Sequence, residues 1–129
     1  IRDWIFVLDH CEALYQILDR GRRGDNYIIG GNEEKSNIEV VQMICKILNE
    51  LKPSQKLSSY EDLIVFVKDR PGHDYRYAID CSKIKKELKW SQKVNFEEGL
   101  LKTINWYIDN SKWTNNIINE KFSLNRMGI

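Results

Sequence analysis

The chain has 129 residues, of which 42% are hydrophobic and 11% aromatic, so it has enough apolar surface to form a packed core. Its 20 basic and 19 acidic residues give a net charge of +1, which excludes the broad positive field used to bind nucleic acid or an anionic membrane. No run is apolar enough to span a bilayer, and no signal-peptide pattern opens the chain.

The first third of the chain predicts a strand, a helix and a second strand. Residues 4–7 form a short apolar run typical of a buried strand. Asp9 is expected to cap a helix that continues to Arg20 and ends at the glycines of residues 21–24. Residues 27–29 predict the second strand. Because the chain opens inside an apparent strand, we expect it to be a fragment or a processed product.

Ser36 begins the clearest helix, because Ser36 and Glu39 have the spacing of a capping box and Pro53 marks the stop. Residues 63–67 are rich in β-branched and aromatic side chains and predict a third strand. A loop over residues 69–74 and an extended stretch over residues 75–79 follow.

The last third predicts helices. One runs from Ser82 to Leu88, one is capped by Asn95, and the tail over residues 111–129 begins as a helix and then frays. Strands that alternate with helices indicate α/β architecture. Three short strands make a poor sheet by themselves, so we expect an incomplete α/β unit that docks on strands outside this chain.

The loop over residues 69–74, with the sequence DRPGHD, contains the best candidates for an anion site. Arg70 offers a planar fork of donors that matches phosphate oxygens, and His73 adds a donor three positions later. Arg2, beside the first strand, and Asn37, in the first turn of a helix, are further candidates. On residue types alone, ordinary surface roles are favoured for Arg70 and Asn37 and equally weighted for Arg2.

No catalytic or metal-binding constellation is present in the sequence. No Ser-His-Asp motif occurs, and no tyrosine is followed four positions later by lysine. Gly30 and Gly31 follow a predicted strand but lack the G-x-G-x-x-G signature of a dinucleotide site. The cysteines, Cys11, Cys45 and Cys81, are widely spaced, which predicts reduced thiols in a cytoplasmic protein and neither a disulfide framework nor a zinc site.

Taken together, these segments resemble the dTDP-glucose 4,6-dehydratase family of extended short-chain dehydrogenases/reductases. The most specific match is DRPGHD, which related epimerases and decarboxylases usually replace with another sequence. The matching stretches, which cover nearly the whole chain, are residues 1–4, 7–10, 27, 29–31, 37–41, 69–74, 76–80, 87–88, 90, 96–97 and 106–107.

The resemblance implies an enzyme that binds NAD on an N-terminal Rossmann domain and dTDP-glucose mainly on a C-terminal portion. It implies that Arg2, Asn37, Arg70 and His73 contact the nucleotide and its diphosphate. Residues 1–35 would return to the Rossmann domain and residues 36–129 would form the substrate-binding portion. The whole protein would be a cytoplasmic homodimeric lyase, and the NAD site and catalytic residues would lie before Ile1, so this chain alone is expected to be inactive.

Three positions depart from the family pattern. Leu8 stands where an acidic residue is common, Ile28 replaces a usual asparagine, and Lys89 replaces a usual glycine before Trp90. Two alternative functions stay open at this point. One is a fragment of a related sugar-nucleotide epimerase or decarboxylase, and the other is a stand-alone nucleotide-binding module without enzymatic activity.

Overall fold

The computed structural model describes residues 1–121, so the end of the predicted tail, residues 122–129, lies outside the described residues. The described part is mostly helical, with one short sheet. In chain order its elements are β1 (Arg2–Asp3), α1 (Val7–Arg20), β2 (Glu34–Lys35), α2 (Asn37–Leu51), a 3-10 helix (Tyr60–Leu63), α3 (Ser82–Leu88), α4 (Phe96–Asp109) and α5 (Ser111–Lys121).

Helices α2 and α4 begin where the sequence predicts, and a side chain caps each of them. The Ser36 hydroxyl accepts the amide hydrogen of Glu39, and the Glu39 carboxylate accepts the amide hydrogen of Ser36, so the predicted capping box of α2 is confirmed. Asn95 caps α4 in the same way, by accepting the amide hydrogen of Glu98 at 2.9 Å. Each contact satisfies an amide that the helix itself leaves unpaired.

The start of α1 differs from the prediction. The helix begins at Val7, and Phe6 in the preceding position provides no side-chain cap. Asp9 therefore lies inside the first turn, where it is 3% exposed. Its carboxylate accepts the amide hydrogens of Lys93 and Val94 at 3.2 and 3.0 Å. Asp9 thus joins α1 to the loop before α4, because a buried carboxylate needs donors and these amides supply them.

The strand predictions are mostly wrong. The observed sheet within residues 1–121 has two strands, β1 and β2, which pair antiparallel with Arg2 opposite Lys35 and Asp3 opposite Glu34. The first strand therefore precedes residues 4–7, of which Val7 is already helical. Residues 27–29 form no regular strand, but Tyr27 and Ile29 pack against the core.

Residues 63–67 show why the third strand was mispredicted. Leu63 ends the 3-10 helix, and the four residues that follow have no regular structure. Val65 and Phe66 are 76% and 81% exposed. β propensity reflects packing against a neighbouring strand and a covering layer. The described residues supply neither to this segment, so its composition alone does not produce a strand.

The core lies between α1, α3 and the segment after α3. Its buried members are Ala13, Cys81, Ile84, Leu88 and Trp90, with Ile5, Ile17, Tyr27 and Ile29 partly buried around them. A second contact joins α2 to the 3-10 helix and to α4. Trp4, directly after β1, contacts Phe96 of α4 edge-to-face and so connects the sheet to these helices.

The outer face of α1 is apolar but exposed. Leu14 and Leu18, which share an apolar stripe with Ala13 and Ile17, are 50% and 86% exposed. Only the Ala13 and Ile17 side of the stripe faces the core. The helix is therefore amphipathic in sequence, but the described residues cover one edge of its apolar face. None of the described helices is long and apolar enough to cross a membrane.

Candidate functional site

The β1–β2 sheet is fixed by the carboxylate of Asp3. Its two oxygens accept the amide hydrogens of Gly31 at 2.8 Å and Glu33 at 2.7 Å. A β-carbon at Gly30 would collide with Asp3 and Ile79, and one at Gly31 would collide with the carbonyl of Trp4. These glycines therefore permit close packing of the chain with itself and leave no open cradle for a dinucleotide.

The loop over residues 69–74 is confirmed as a turn centred on Pro71 and Gly72. Gly72 has φ +69°, which belongs to the left-handed region that glycine adopts without strain. The chain after the loop is tied to β2, because the Arg76 guanidinium donates two hydrogen bonds of 2.7 and 2.6 Å to the Glu34 carboxylate. This bidentate pair lowers the pKa of Glu34 and raises that of Arg76.

Arg2 joins β1 to this loop. Its Nη2 lies 2.7 Å from His73 Nε2 and donates to the carbonyl of Asp74 at 3.2 Å. Its Nη1 donates to the carbonyl of Ile1 at 2.7 Å. The structure therefore brings together two of the four predicted site residues, Arg2 and His73, which are 71 positions apart in the sequence.

The contacts of His73 define its tautomer. Arginine nitrogen can only donate, so His73 Nε2 accepts from Arg2 and the ring proton lies on Nδ1. That Nδ1 is 2.8 Å from Asp69 Oδ1, which accepts its hydrogen. The hydrogen bond from His73 and a second from the Arg70 amide lower the pKa of Asp69. Asp69, His73 and Arg2 thus form a continuous chain of hydrogen bonds.

Tyr77 completes the surroundings of Arg2. The centre of its ring lies 4.3 Å from the Arg2 guanidinium carbon, which is the distance of a cation–π contact. Its hydroxyl donates to the Asp74 carboxylate at 2.6 Å, and this bond raises the pKa of Tyr77. Neither Asp69 nor Tyr77 was predicted as a site residue. Tyr77 contacts a strand that is 75 positions away, and Asp69 contacts that strand only through His73.

Arg70 and Asn37, the other two predicted site residues, are connected to this cluster through neighbouring residues of the chain. Arg70 follows Asp69 directly, is exposed, and its guanidinium has no hydrogen-bond or ion-pair partner among the described residues. Asn37 is the first residue of α2, two positions after Lys35, which pairs with Arg2. Arg70 therefore leaves its donor fork available, and Asn37 stands where helix amides favour an anion.

The cluster offers a ligand a cation and its hydrogen-bond donors. Two surface clefts lie elsewhere, one between α2 and the 3-10 helix and one between α2 and α4. Among residues 1–121, no three His, Cys, Asp or Glu side chains are placed to hold a metal ion. The arrangement of a free arginine fork beside a held Arg–His pair can bind an anion with several acceptor oxygens.

The family model described as GDP-mannose 4,6 dehydratase matches residues 1–103. The chain belongs to this family, and its predicted fold as part of an extended short-chain dehydrogenase is confirmed.

Curated relatives confirm the narrower resemblance. A dTDP-glucose 4,6-dehydratase of Neisseria meningitidis is 52% identical over 130 residues, which are 99% of this chain and 37% of that protein. A dTDP-glucose 4,6-dehydratase of Haemophilus influenzae is 58% identical over 113 residues, 86% of this chain and 33% of that protein. The chain spans about a third of the length of these relatives.

Two solved structures of dTDP-glucose 4,6-dehydratases are also similar to this chain. A crystal structure of dTDP-glucose 4,6-dehydratase from Bacillus anthracis in complex with NAD has a TM-score of 0.72 and 44% identity, and the match covers 86% of this chain and 32% of that one. A structure of the Streptomyces venezuelae dTDP-glucose 4,6-dehydratase with NAD and TYD bound has a TM-score of 0.71 and 35% identity, with the same coverage.

Proposed function

We propose that this chain forms the nucleotide-diphosphate-binding part of a dTDP-glucose 4,6-dehydratase, in which Arg2, Asn37, Arg70 and His73 contact the substrate. The whole protein would remove water from dTDP-glucose and give dTDP-4-keto-6-deoxyglucose. The observation that carries the proposal is the direct contact between Arg2 and His73, because it joins the Arg2 cation to the loop that carries the Arg70 guanidinium. The relatives' names disfavour both the epimerase or decarboxylase alternative and the binding module.

NAD is proposed as the cofactor of the whole protein, since two solved relatives are crystallised with it. The described residues do not fit this group, because the space beside Gly30 and Gly31 is occupied by other residues of the chain. We therefore assign no residue of this chain to NAD and no catalytic step to it. The division into residues 1–35 and 36–129 stays a prediction.

A homodimer and a cytoplasmic location are further parts of the proposal. The homodimer comes from the family resemblance. Cys11, Cys45 and Cys81 are all free thiols, which supports a reducing compartment. Size-exclusion chromatography with light scattering on the full-length protein tests the dimer, and cell fractionation tests the location.

Binding of dTDP to the full-length protein tests the substrate site. Arg70→Ala is expected to weaken dTDP binding by about 1.5–3 kcal/mol, the worth of a hydrogen bond to a charged group, as measured by titration calorimetry. Arg23→Ala is a matched control, because Arg23 is also an exposed arginine in a glycine-containing turn. Equal affinities of the two variants would return Arg70 to the class of ordinary surface charges.

The chain by itself is expected to show no dehydration of dTDP-glucose, because it contains neither a glycine-rich dinucleotide loop nor a tyrosine followed four positions later by lysine. A coupled assay for the 4-keto product checks this expectation. Turnover by the isolated 129-residue chain would contradict the assignment of the chemistry to the rest of the protein.

A further inference from the structure

The orientation of Arg2 is unusually restricted for a side chain on a two-residue strand. A hydrogen bond to His73 Nε2 at 2.7 Å holds one of its terminal nitrogens. The ring of Tyr77 lies 4.3 Å from its guanidinium carbon. A free arginine side chain loses much rotamer entropy on binding a ligand. A guanidinium that is already held loses less, so the contacts prepare it for an anion.

We propose that Asp69 and Tyr77 are positioning residues, which fix the Arg2 guanidinium through His73 and through the aromatic ring. The inference deepens the proposed function and rests on it, since the anion that Arg2 would meet is the diphosphate of a nucleoside diphosphate. Asp69 and Tyr77 need not touch this ligand.

Asp69 acts through the proton of His73. An uncharged imidazole has one N–H, and either nitrogen can carry it. Asp69 Oδ1 lies 2.8 Å from Nδ1 and accepts a hydrogen there, which leaves the lone pair of Nε2 for Arg2. Without this acceptor the proton is free to move to Nε2. A donor would then face the donor of Arg2 across 2.7 Å, and the contact would be lost.

Tyr77 acts through the face of its ring. The ring is anchored at its far end, where the hydroxyl donates to the Asp74 carboxylate at 2.6 Å. The backbone carbonyl of the same Asp74 accepts from Arg2 Nη2 at 3.2 Å. One residue therefore fixes both partners of the cation–π contact, and the ring cannot turn away from Arg2 without losing its hydrogen bond.

These contacts leave donors of Arg2 for a ligand. Nη2 is used by His73 and Asp74, and Nη1 donates to Ile1 at 2.7 Å. The remaining Nη1 hydrogen has only a long contact of 3.5 Å to the Tyr75 carbonyl. The Nε–H group is the other donor that can meet a phosphate oxygen.

Two measurements on the full-length protein test the inference. The first is the tautomer of His73 by NMR of ring-15N-labelled histidine, with His73→Gln used to assign the signal. The second is the Kd for dTDP by titration calorimetry. We expect the Nδ1–H tautomer in the wild-type protein, and Asp69→Ala is expected to raise the Kd about tenfold, the equivalent of about one hydrogen bond.

Conservative variants separate positioning from simple loss of a side chain. Asp69→Asn keeps an oxygen that accepts from Nδ1 and is expected to retain the tautomer and most of the affinity. Tyr77→Leu removes the ring and is expected to raise the Kd about threefold, in line with an exposed cation–π contact. Tyr77→Phe keeps the ring and should have a smaller effect. Asp109→Ala, an exposed carboxylate on α4, is the control.

Each failure has its own meaning. A wild-type protein that does not bind dTDP overturns the proposed function, whereas the tautomer still reports on Asp69 without any ligand. An Nε2–H tautomer in the wild type, or an Asp69→Ala variant with unchanged tautomer and Kd, overturns the positioning role of Asp69. Equal affinities of Tyr77→Leu and Tyr77→Phe overturn that of Tyr77. If Asp69→Ala does not fold, the wild-type tautomer and the two Tyr77 variants decide.

Discussion

The core between α1 and α3 and the polar cluster between β1 and residues 69–77 are held together in different ways. Ile84 and Trp90 are 0% and 2% exposed, and their contribution comes from apolar area that many neighbours share. Arg2 and His73 depend instead on a few directed bonds at the surface. A change in the core should therefore alter stability, and a change in the cluster should alter local geometry while the fold persists.

The largest expected effect is the loss of a core side chain. Ile84→Ala removes a fully buried side chain and is expected to lower the free energy of unfolding by about 2–5 kcal/mol, as lost transfer energy and a cavity add. Urea denaturation measures it. Lys85→Ala, an exposed neighbour on the same helix, should change the free energy by less than about 0.5 kcal/mol. Similar effects for both variants would mean that α3 does not pack as described.

Substitution of Asp9 measures how much stability is lost with buried hydrogen bonds, for comparison with the loss of apolar packing at Ile84. Asp9→Ala leaves the amides of Lys93 and Val94 without their acceptor and is expected to cost about 2–3 kcal/mol. Denaturation again gives the value, and Asp9→Asn, which keeps one oxygen, should cost less. An Asp9→Ala variant as stable as the wild type would show that water replaces the carboxylate.

A comparison of Asp9 with the helix caps shows which roles can be predicted from the sequence. The caps at Ser36 and Asn95 are local features, and their predictions are confirmed. Asp9 has the same residue type as a cap, but its partners lie 84 and 85 positions away. Local spacing could not distinguish the two roles.

The candidate site was likewise only partly predictable. Residue chemistry nominated Arg2, Asn37, Arg70 and His73 only weakly, and the resemblance then implied all four as contacts of the nucleotide and its diphosphate. The pairing of Arg2 with His73 depends on β1 and the loop meeting in space. Asp69 and Tyr77 could not be chosen from the sequence, because their roles follow from a tautomer and a ring position. The prediction of a strand at residues 63–67 was wrong because a strand also depends on distant residues, namely those of a neighbouring strand with which it pairs.

A smaller effect is expected at the end of α3. Lys89 has φ +57° at the C-terminal end of α3, and a side chain in this conformation is strained by roughly 1–2 kcal/mol. Lys89→Gly is expected to stabilise the protein by about 0.5–1 kcal/mol, because glycine's greater freedom when unfolded offsets part of the relief. Thermal unfolding measures the gain.

The matched control for this change is Lys86→Gly inside the same helix, which should instead destabilise by about 1 kcal/mol. A loss of stability in both variants would show that Lys89 makes a favourable contact that outweighs its backbone strain.

The smallest expected effect concerns the pair of Glu34 and Arg76. Because the pKa of Glu34 is lowered from 4.5 by the hydrogen bonds from Arg76, the pair contributes fully above that pH. It is lost as the pH falls through the lowered pKa. The raised pKa of Arg76 has no influence at working pH. The Arg76 Nε–H signal in 15N NMR should therefore shift only in the acid range.

The Nε–H signal of Arg23 is the control for this titration, because Arg23 is exposed and its guanidinium has no hydrogen-bond or ion-pair partner among the described residues. If the Arg76 signal were constant throughout the acid range, the loop would be attached to β2 by something other than this ion pair.

The Asp3 carboxylate has a consequence for hydrogen exchange. It holds the amides of Gly31 and Glu33 in a segment that is mostly irregular. Such amides usually exchange quickly with deuterium, but these two can exchange only when the sheet opens. Their exchange rates would therefore report the opening free energy of β1 and β2 separately from global unfolding. If these rates fell when a nucleotide was bound, the nucleotide would stabilise the β1–β2 pair, to which Arg2 belongs.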